Sequence, residues 1–191
     1  MTDVQVTTTE TTVLVVDPAS ATVNVTSGRD TILIDGPDFA YCGAYDNDGP
    51  QSAASSSSTY LIRVNQTDVA HLISNNNGVF TFERSGTYLV TFSIQWDNSS
   101  NQIVETNVFL KKNNQILPNT SSYTSVTSSH GGINGKTIMA AQFVLRFIAN
   151  DTLAFYWQSN DSAAIIETVA ATTTPEMPLS PGIIVTIGQI A

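Results

Sequence analysis

Residues 82–96 read FERSGTYLVTFSIQW. From Tyr88 to Trp96 every second residue is large and apolar: Tyr88, Val90, Phe92, Ile94 and Trp96. This period of two is the mark of a β-strand with one face in a core. The intervening residues, Leu89, Thr91, Ser93 and Gln95, carry no charge. A solvent face normally does, so the second face of this strand needs a partner.

The rest of the chain has the same texture. Further β-like runs are TYLIRV (59–64), VAHLIS (69–74), VFTFE (79–83), IVETNVFLKK (103–112), ILPNTSSYTSVTS (116–128), KTIMAAQFVLRF (136–147), TLAFYWQS (152–159), AAIIETVA (163–170) and IIVTIGQI (183–190). Turn residues such as NNNG, DNSSN, HGGING and IAND separate them. A short strand is expected around Phe39 to Tyr45, flanked by a Ser-rich loop, and a Pro-rich loop at 172–182. No segment shows helical periodicity. Eight or more short strands of even spacing predict an all-β fold, an antiparallel β-sandwich of jelly-roll type.

Residues 1–38 read as a separate β-rich N-terminal arm and 39–191 as the jelly-roll domain. In the arm, TTVLVV (11–16), TVNVT (22–26) and TILID (31–35) suggest a three-stranded meander. A unit of this size buries too little surface to stand alone, so it is expected to pack on the main body, on a sister chain or on a partner.

Composition narrows function. The chain has 191 residues, 41% hydrophobic and only 12% charged, with a net charge of −9. Residues 1–50 hold eight acids against the single cation Arg29, so −7 of that charge lies there. Seven cations in all make no basic patch, which argues against nucleic-acid partners and anionic membrane surfaces. No apolar run reaches the ~20 residues of a membrane helix. One cysteine, Cys42, precludes an internal disulfide. With no Lys/Arg-led apolar start, synthesis in a reducing host cytoplasm is expected.

Signals for chemistry are weak. The two histidines, His71 and His130, are far apart, and no motif of a hydrolase or phosphate-binding loop occurs. His71 reads as a strand residue, His130 as a loop residue and Cys42 as a small packed side chain. DNDG (46–49) lacks the remaining ligands of a calcium loop and reads as a turn. Lys111 and Lys112 read as a solvated hairpin pair. The six Asn-x-Ser/Thr sequons are what chance supplies in so Ser/Thr/Asn-rich a chain. No catalytic residue, cofactor or metal is expected, and the protein reads as a non-enzyme.

Strand 136–147 repeats the pattern of 88–96. Met139, Phe143, Leu145 and Phe147 form its core face, and Ile138, Ala140, Gln142 and Val144 an uncharged one. By contrast IVETNVFLKK and VFTFE carry charge and read as strands with a wet face. One sheet is therefore expected to have a dry outer face, covered by another copy of the chain.

Four motifs in order resemble the trimeric jelly roll shared by tumour necrosis factor and complement C1q-like proteins. SGTYLVTFSIQW (85–96) resembles its Gly-x-Tyr strand. VFLKKNNQIL (108–117) resembles its exposed hairpin. FVLRFIANDTLAFYW (143–157) resembles its strand, Gly-Asp turn and strand, with Asn150 in place of glycine. PLSPGIIVTIGQI (178–190) resembles its closing strand. Within the family the chain is most similar to bacteriophage structural versions, and it lacks the Gly-X-Y repeats of collagen-borne members. The resemblance implies a homotrimer. The interface residues expected are Leu89, Thr91, Ser93 and Gln95, with Ile138, Ala140 and Val144. It further implies a virion structural protein on the capsid surface: a decoration (cement) protein whose arm contacts the major capsid protein. The alternative is the receptor-binding head of a phage fibre, presenting loops 97–101, 129–135 and 172–181 to a glycan or protein.

Overall fold

The computed structural model describes Thr2–Gln5, Ala21–Asn24 and residues 38–191. The chain divides into two compact units, Met1–Phe39 and Ala40–Ala191. In the first, β1 (Thr2–Gln5) and β2 (Ala21–Asn24) pair in parallel, with Thr2 opposite Ala21 and Gln5 opposite Asn24. This pairing joins residues 2–5, which the expected meander did not include, to the start of its middle run. A parallel pair needs a connection of a dozen or more residues instead of a tight turn, and residues 6–20 separate these strands. The runs 11–16 and 31–35 lie outside the described residues.

The second unit opens with β3 (Tyr41–Asp46), β4 (Gln51–Ser52), β5 (Tyr60–Leu61), β6 (Gln66–His71), β7 (Ile73–Asn76) and β8 (Val79–Phe82). Two expected strands are cut short here. Of 59–64 only Tyr60 and Leu61 join a ladder, although Ile62 and Val64 are fully buried. The run 69–74 breaks at Leu72, whose φ of 54° is left-handed. That kink sends β6 to β3 and β7 to β8, in different sheets.

Next come β9 (Gly86–Asn98), β10 (Val104–Lys112), β11 (Gln115–Ile116), β12 (Ser122–Val126), β13 (Gly135–Phe147), β14 (Thr152–Ser159), β15 (Ala164–Ile166), β16 (Thr172–Thr173), β17 (Glu176–Met177) and β18 (Ile183–Gln189). The β10–β11 hairpin turns through Asn113 and Asn114, at φ 50° and 62°. Two successive left-handed residues make the turn whose twist matches paired strands, and Asn tolerates that conformation well. Asn150, in the turn between β13 and β14, takes φ 72°, which Asn likewise tolerates.

One sheet has β13 along the full length of β9. On the other side of β9 lie β18 and β15, followed by β3 and β4, then β6. The second sheet is built on β10 and β14. It carries β11 and β12 on one side, and β5, β8 and β7 on the other. All ladders in this unit are antiparallel. The result is the expected all-β sandwich.

Tyr88, Val90, Phe92, Ile94 and Trp96 point into the space between the sheets and are at most 1% exposed. They meet Phe155 and Trp157 of β14 and Phe82 of β8. Phe92 lies edge-on to Phe155 at 5.5 Å, and Trp96 sits 5.4 Å from Trp157. Phe82 stacks on Phe147 at 3.8 Å. Each large side chain so buried stabilises the fold by about 1.5–3 kcal/mol.

The lysine pair of β10 corrects the solvated-hairpin reading. Strand alternation puts Lys111 outward, where its Nζ sits 3.9 Å above the Tyr156 ring. Lys112 points inward at the mouth of the sandwich and pairs with Asp151 at 2.6 Å.

Candidate subunit interface

The outer face of the β9 sheet gathers every residue expected at a subunit contact. Register places Val144 of β13 opposite Leu89 of β9, Gln142 opposite Thr91, Ala140 opposite Ser93, and Ile138 opposite Gln95. Leu89, Thr91, Ser93 and Gln95 are half-buried within this single chain, while Ile138, Ala140 and Val144 are exposed. Ile138 is 70% and Val144 62% exposed.

The rows continue onto strands the sequence left undecided. Leu89 faces Gly188 of β18, Thr91 faces Thr186, and Ser93 faces Ile184. Beyond them Gly188 faces Tyr41 of β3, Thr186 faces Gly43, and Ile184 faces Tyr45. Ile184 and Tyr41 are 47% and 48% exposed. IIVTIGQI concealed its outer face because both parities are apolar there; Ile183, Val185 and Ile187 turn out to be the core set.

Charge borders this face on two sides. At one end Arg146 of β13 lies opposite Thr87. At the other, Lys136 bridges Asp97, at 3.0 Å, and Glu167, while Asn134 donates to Asp97 at 2.7 Å. Burial alone would lower the Lys136 pKa, but the two carboxylates hold it above its ordinary value. Between these ends, across β13, β9, β18 and β3, no described residue points a charged side chain outward. Exposed apolar surface with depleted charge is the signature of an interaction face.

Gln95 has a role that its spacing did not reveal. Its Nε2 donates to Ser180 Oγ at 2.8 Å and to the Pro181 carbonyl at 2.7 Å. It therefore pins the 169–182 segment to the edge of the neutral face. That segment, expected as a plain loop, contains the β16–β17 hairpin.

The loops considered for receptor binding partly converge. Ser129 bonds through its amide to the Ser100 carbonyl at 2.7 Å and through its hydroxyl to the Ser99 carbonyl at 3.1 Å. Loops 97–101 and 129–135 thus form one surface.

The residues weighed for chemistry are occupied structurally. Cys42 is buried in the core, and burial pushes its thiol up to about 11, leaving no thiolate near neutrality. His71 lies 5.8 Å from the Tyr41 ring. His130 and Ile133 pair across a tight turn. Asp46 of the DNDG turn is held by Arg63 and Gln51. Among the described residues no group of three or more His, Cys, Asp or Glu is placed to hold a metal.

No protein-family model matches the chain, and no curated protein matches it by sequence. Solved structures match it by shape. The Eiger TNF of S. frugiperda superposes with a TM-score of 0.53 at 12% identity, covering 81% of this chain and 94% of that one. Murine APRIL at pH 5.0 gives 0.52 at 9% identity, covering 80% and 99%. The same protein at pH 8.5 gives 0.51 at 8% identity, with the same coverage. At these identities the likeness defines the fold alone: the second unit is a TNF-like jelly roll.

Proposed function

We propose that the chain is a homotrimeric virion structural protein, a decoration protein on the surface of a phage head. The observation that carries the assembly is the neutral face of β13, β9, β18 and β3, whose exposed Ile138, Val144, Ile184 and Tyr41 are costly to leave in water. A TNF-like jelly roll offers one such face per copy, and three copies around an axis bury all of them. The role on a capsid is supported by the resemblance to phage structural proteins and by an acidic N-terminal unit distinct from the jelly roll. That unit, residues 1–38, is read as the anchor to the major capsid protein. The protein is read as non-catalytic, because its cysteine and histidines serve packing and turns.

The experiment is a deletion of residues 2–38. The truncated chain is expected to remain a soluble trimer and to lose binding to capsids that lack the protein. If it still decorates them, the anchor lies elsewhere. The second reading, a fibre head, is favoured by the joined loops 97–101 and 129–135. Copy number separates the two: hundreds per virion fit decoration, and a few tens at most fit a fibre.

A further inference from the structure

Residues 169–180 form an arm anchored at its root. Val169 and Ser180 exchange backbone hydrogen bonds of 2.9 Å in both directions, and Gln95 clamps the Ser180 side. Beyond the root, Thr172 pairs with Met177 and Thr173 with Glu176. Thr172 Oγ1 donates to the Pro175 carbonyl at 2.6 Å across the tip. The arm is thus ordered by its own bonds, yet every residue from 169 to 179 is exposed. Its surface is mostly apolar or neutral: Val169, Met177 and Leu179 are exposed, and Glu176 is its single charge.

The arm borders the neutral sheet face, with a cleft on either side. One, of about 480 Å³, has Gln95 and Ile138 of the sheet on one wall and Val169 on the other. The second, of about 410 Å³, has Tyr45 and Ile184 facing Pro178, Leu179 and Pro181. Face and arm are therefore one continuous concave surface.

Area says what covers it. Four strands at ~4.8 Å spacing and four side-chain rows at ~6.8 Å make the flat face roughly 20 by 25 Å, or about 500 Å². A stable interface buries about 800 Å² per partner. The flat face alone falls short, and the arm with its two clefts, whose charges are Glu176 and the paired Lys136 and Glu167, is the adjoining surface that makes up the difference. A closed three-fold ring brings two different patches of each copy together, and a face edged by a projecting arm supplies both a socket and a clasp.

We infer that the 169–180 arm is the second half of the subunit interface, lying against a neighbouring copy of this chain that fills the clefts beside it. This rests on the reading of the neutral face as an inter-subunit surface. The arm's apolar side chains, exposed in one chain, are then buried in the oligomer.

The test uses the full chain and two variants. In one, residues 170–179 are replaced by a two-residue Asn-Gly turn, which can join the bridged pair Val169 and Ser180. The other is Met177→Asp with Leu179→Asp, both exposed in the single chain, so its folding is unaffected. Sedimentation across a dilution series reads the dissociation midpoint. Both variants are expected to dissociate at a concentration at least about tenfold higher than the parent. A midpoint within about twofold of the parent overturns the inference and leaves the arm free for an outside partner. A parent chain that is monomeric at micromolar concentration overturns the trimer itself. Hydrogen exchange gives a second readout: amides of residues 170–179 are expected to exchange more slowly in the parent oligomer than in a monomeric Ala140→Glu variant. Equal rates reject the arm's role even when the trimer stands.

Discussion

Arg63 holds the carboxylate of Asp46 in a two-pronged grip, Nε to Oδ1 at 2.8 Å and Nη2 to Oδ2 at 3.0 Å. The same guanidinium donates to the Asp48 and Gly49 carbonyls. Gln51 closes the set, donating to Asp46 and accepting from the Arg63 amide. The turn after β3 is thereby tied to the segment that follows β5. Asp46 is fully buried, so Arg63→Ala strands a charge and is expected to cost about 3–5 kcal/mol in urea unfolding. Arg63→Lys is expected to recover only part of this, because an ammonium cannot fork. A loss under about 1 kcal/mol for the alanine variant would show that the turn closes without the pair.

Asp151 sets the acid limit. Burial pushes its carboxyl up, but Lys112, the Ile148 amide and Asn113 outweigh that and hold it below 3.8. A carboxylate depressed on folding stabilises above its unfolded value of about 3.9, and that stability is lost as pH falls through the lower folded value. Asp151→Asn is therefore expected to lower Tm at pH 7, by about 2–4 °C per kcal/mol lost. The gap from the parent should narrow below about pH 4. A gap that stays constant down to pH 2.5 would assign the effect to packing instead.

Ala140 and Thr186 flank the middle of the neutral face and are exposed in the single chain. Ala140→Glu and Thr186→Asp are expected to leave the fold intact by circular dichroism and to convert the proposed trimer to monomer. Each puts three charges into a contact that has none. Light scattering checks this, and a trimer of unchanged midpoint removes this face from the interface.

Gly135 starts β13 where a Cβ would stand 1.7 Å from the Thr127 carbonyl oxygen. Backbone cannot yield that much without breaking the ladder. Gly135→Ala is expected to cost more than about 2 kcal/mol in thermal unfolding. Gly131→Ala, in open space but at φ +61°, is expected to cost only about 1–2 kcal/mol. Equal losses would mean that clash is not the controlling term.

Cys42 is expected to resist thiol reagents at neutral pH until the chain unfolds. Its thiol is buried and pushed up to about 11. Labelling that outpaces unfolding would show that β3 opens locally.

The body of the fold was legible because its strands announce themselves. β9 alternates from Tyr88 to Trp96 and β13 over its whole length, and the turns carry Asn, Gly and Pro where left-handed or restricted backbone is needed. Leu72 was not legible: nothing in VAHLIS signals a left-handed residue, since the sheet switch is imposed by what β6 and β7 pair with. The parallel pairing of β1 and β2 was likewise hidden, because short Thr/Val runs hold no direction. The outer face of β18 was ambiguous for the opposite reason, an excess of apolar residues on both sides.

What the residues determined alone was parity: which side chains of β9 and β13 enter the core and which stay neutral outside. Alternation is a local property of extended backbone, so a linear pattern contains it. Register came only with the tertiary structure. It set Ser93 between Ala140 and Ile184, and it turned Gln95 from a face residue into the clamp on Ser180. Those pairs lie tens of residues apart, and long-range packing decides them.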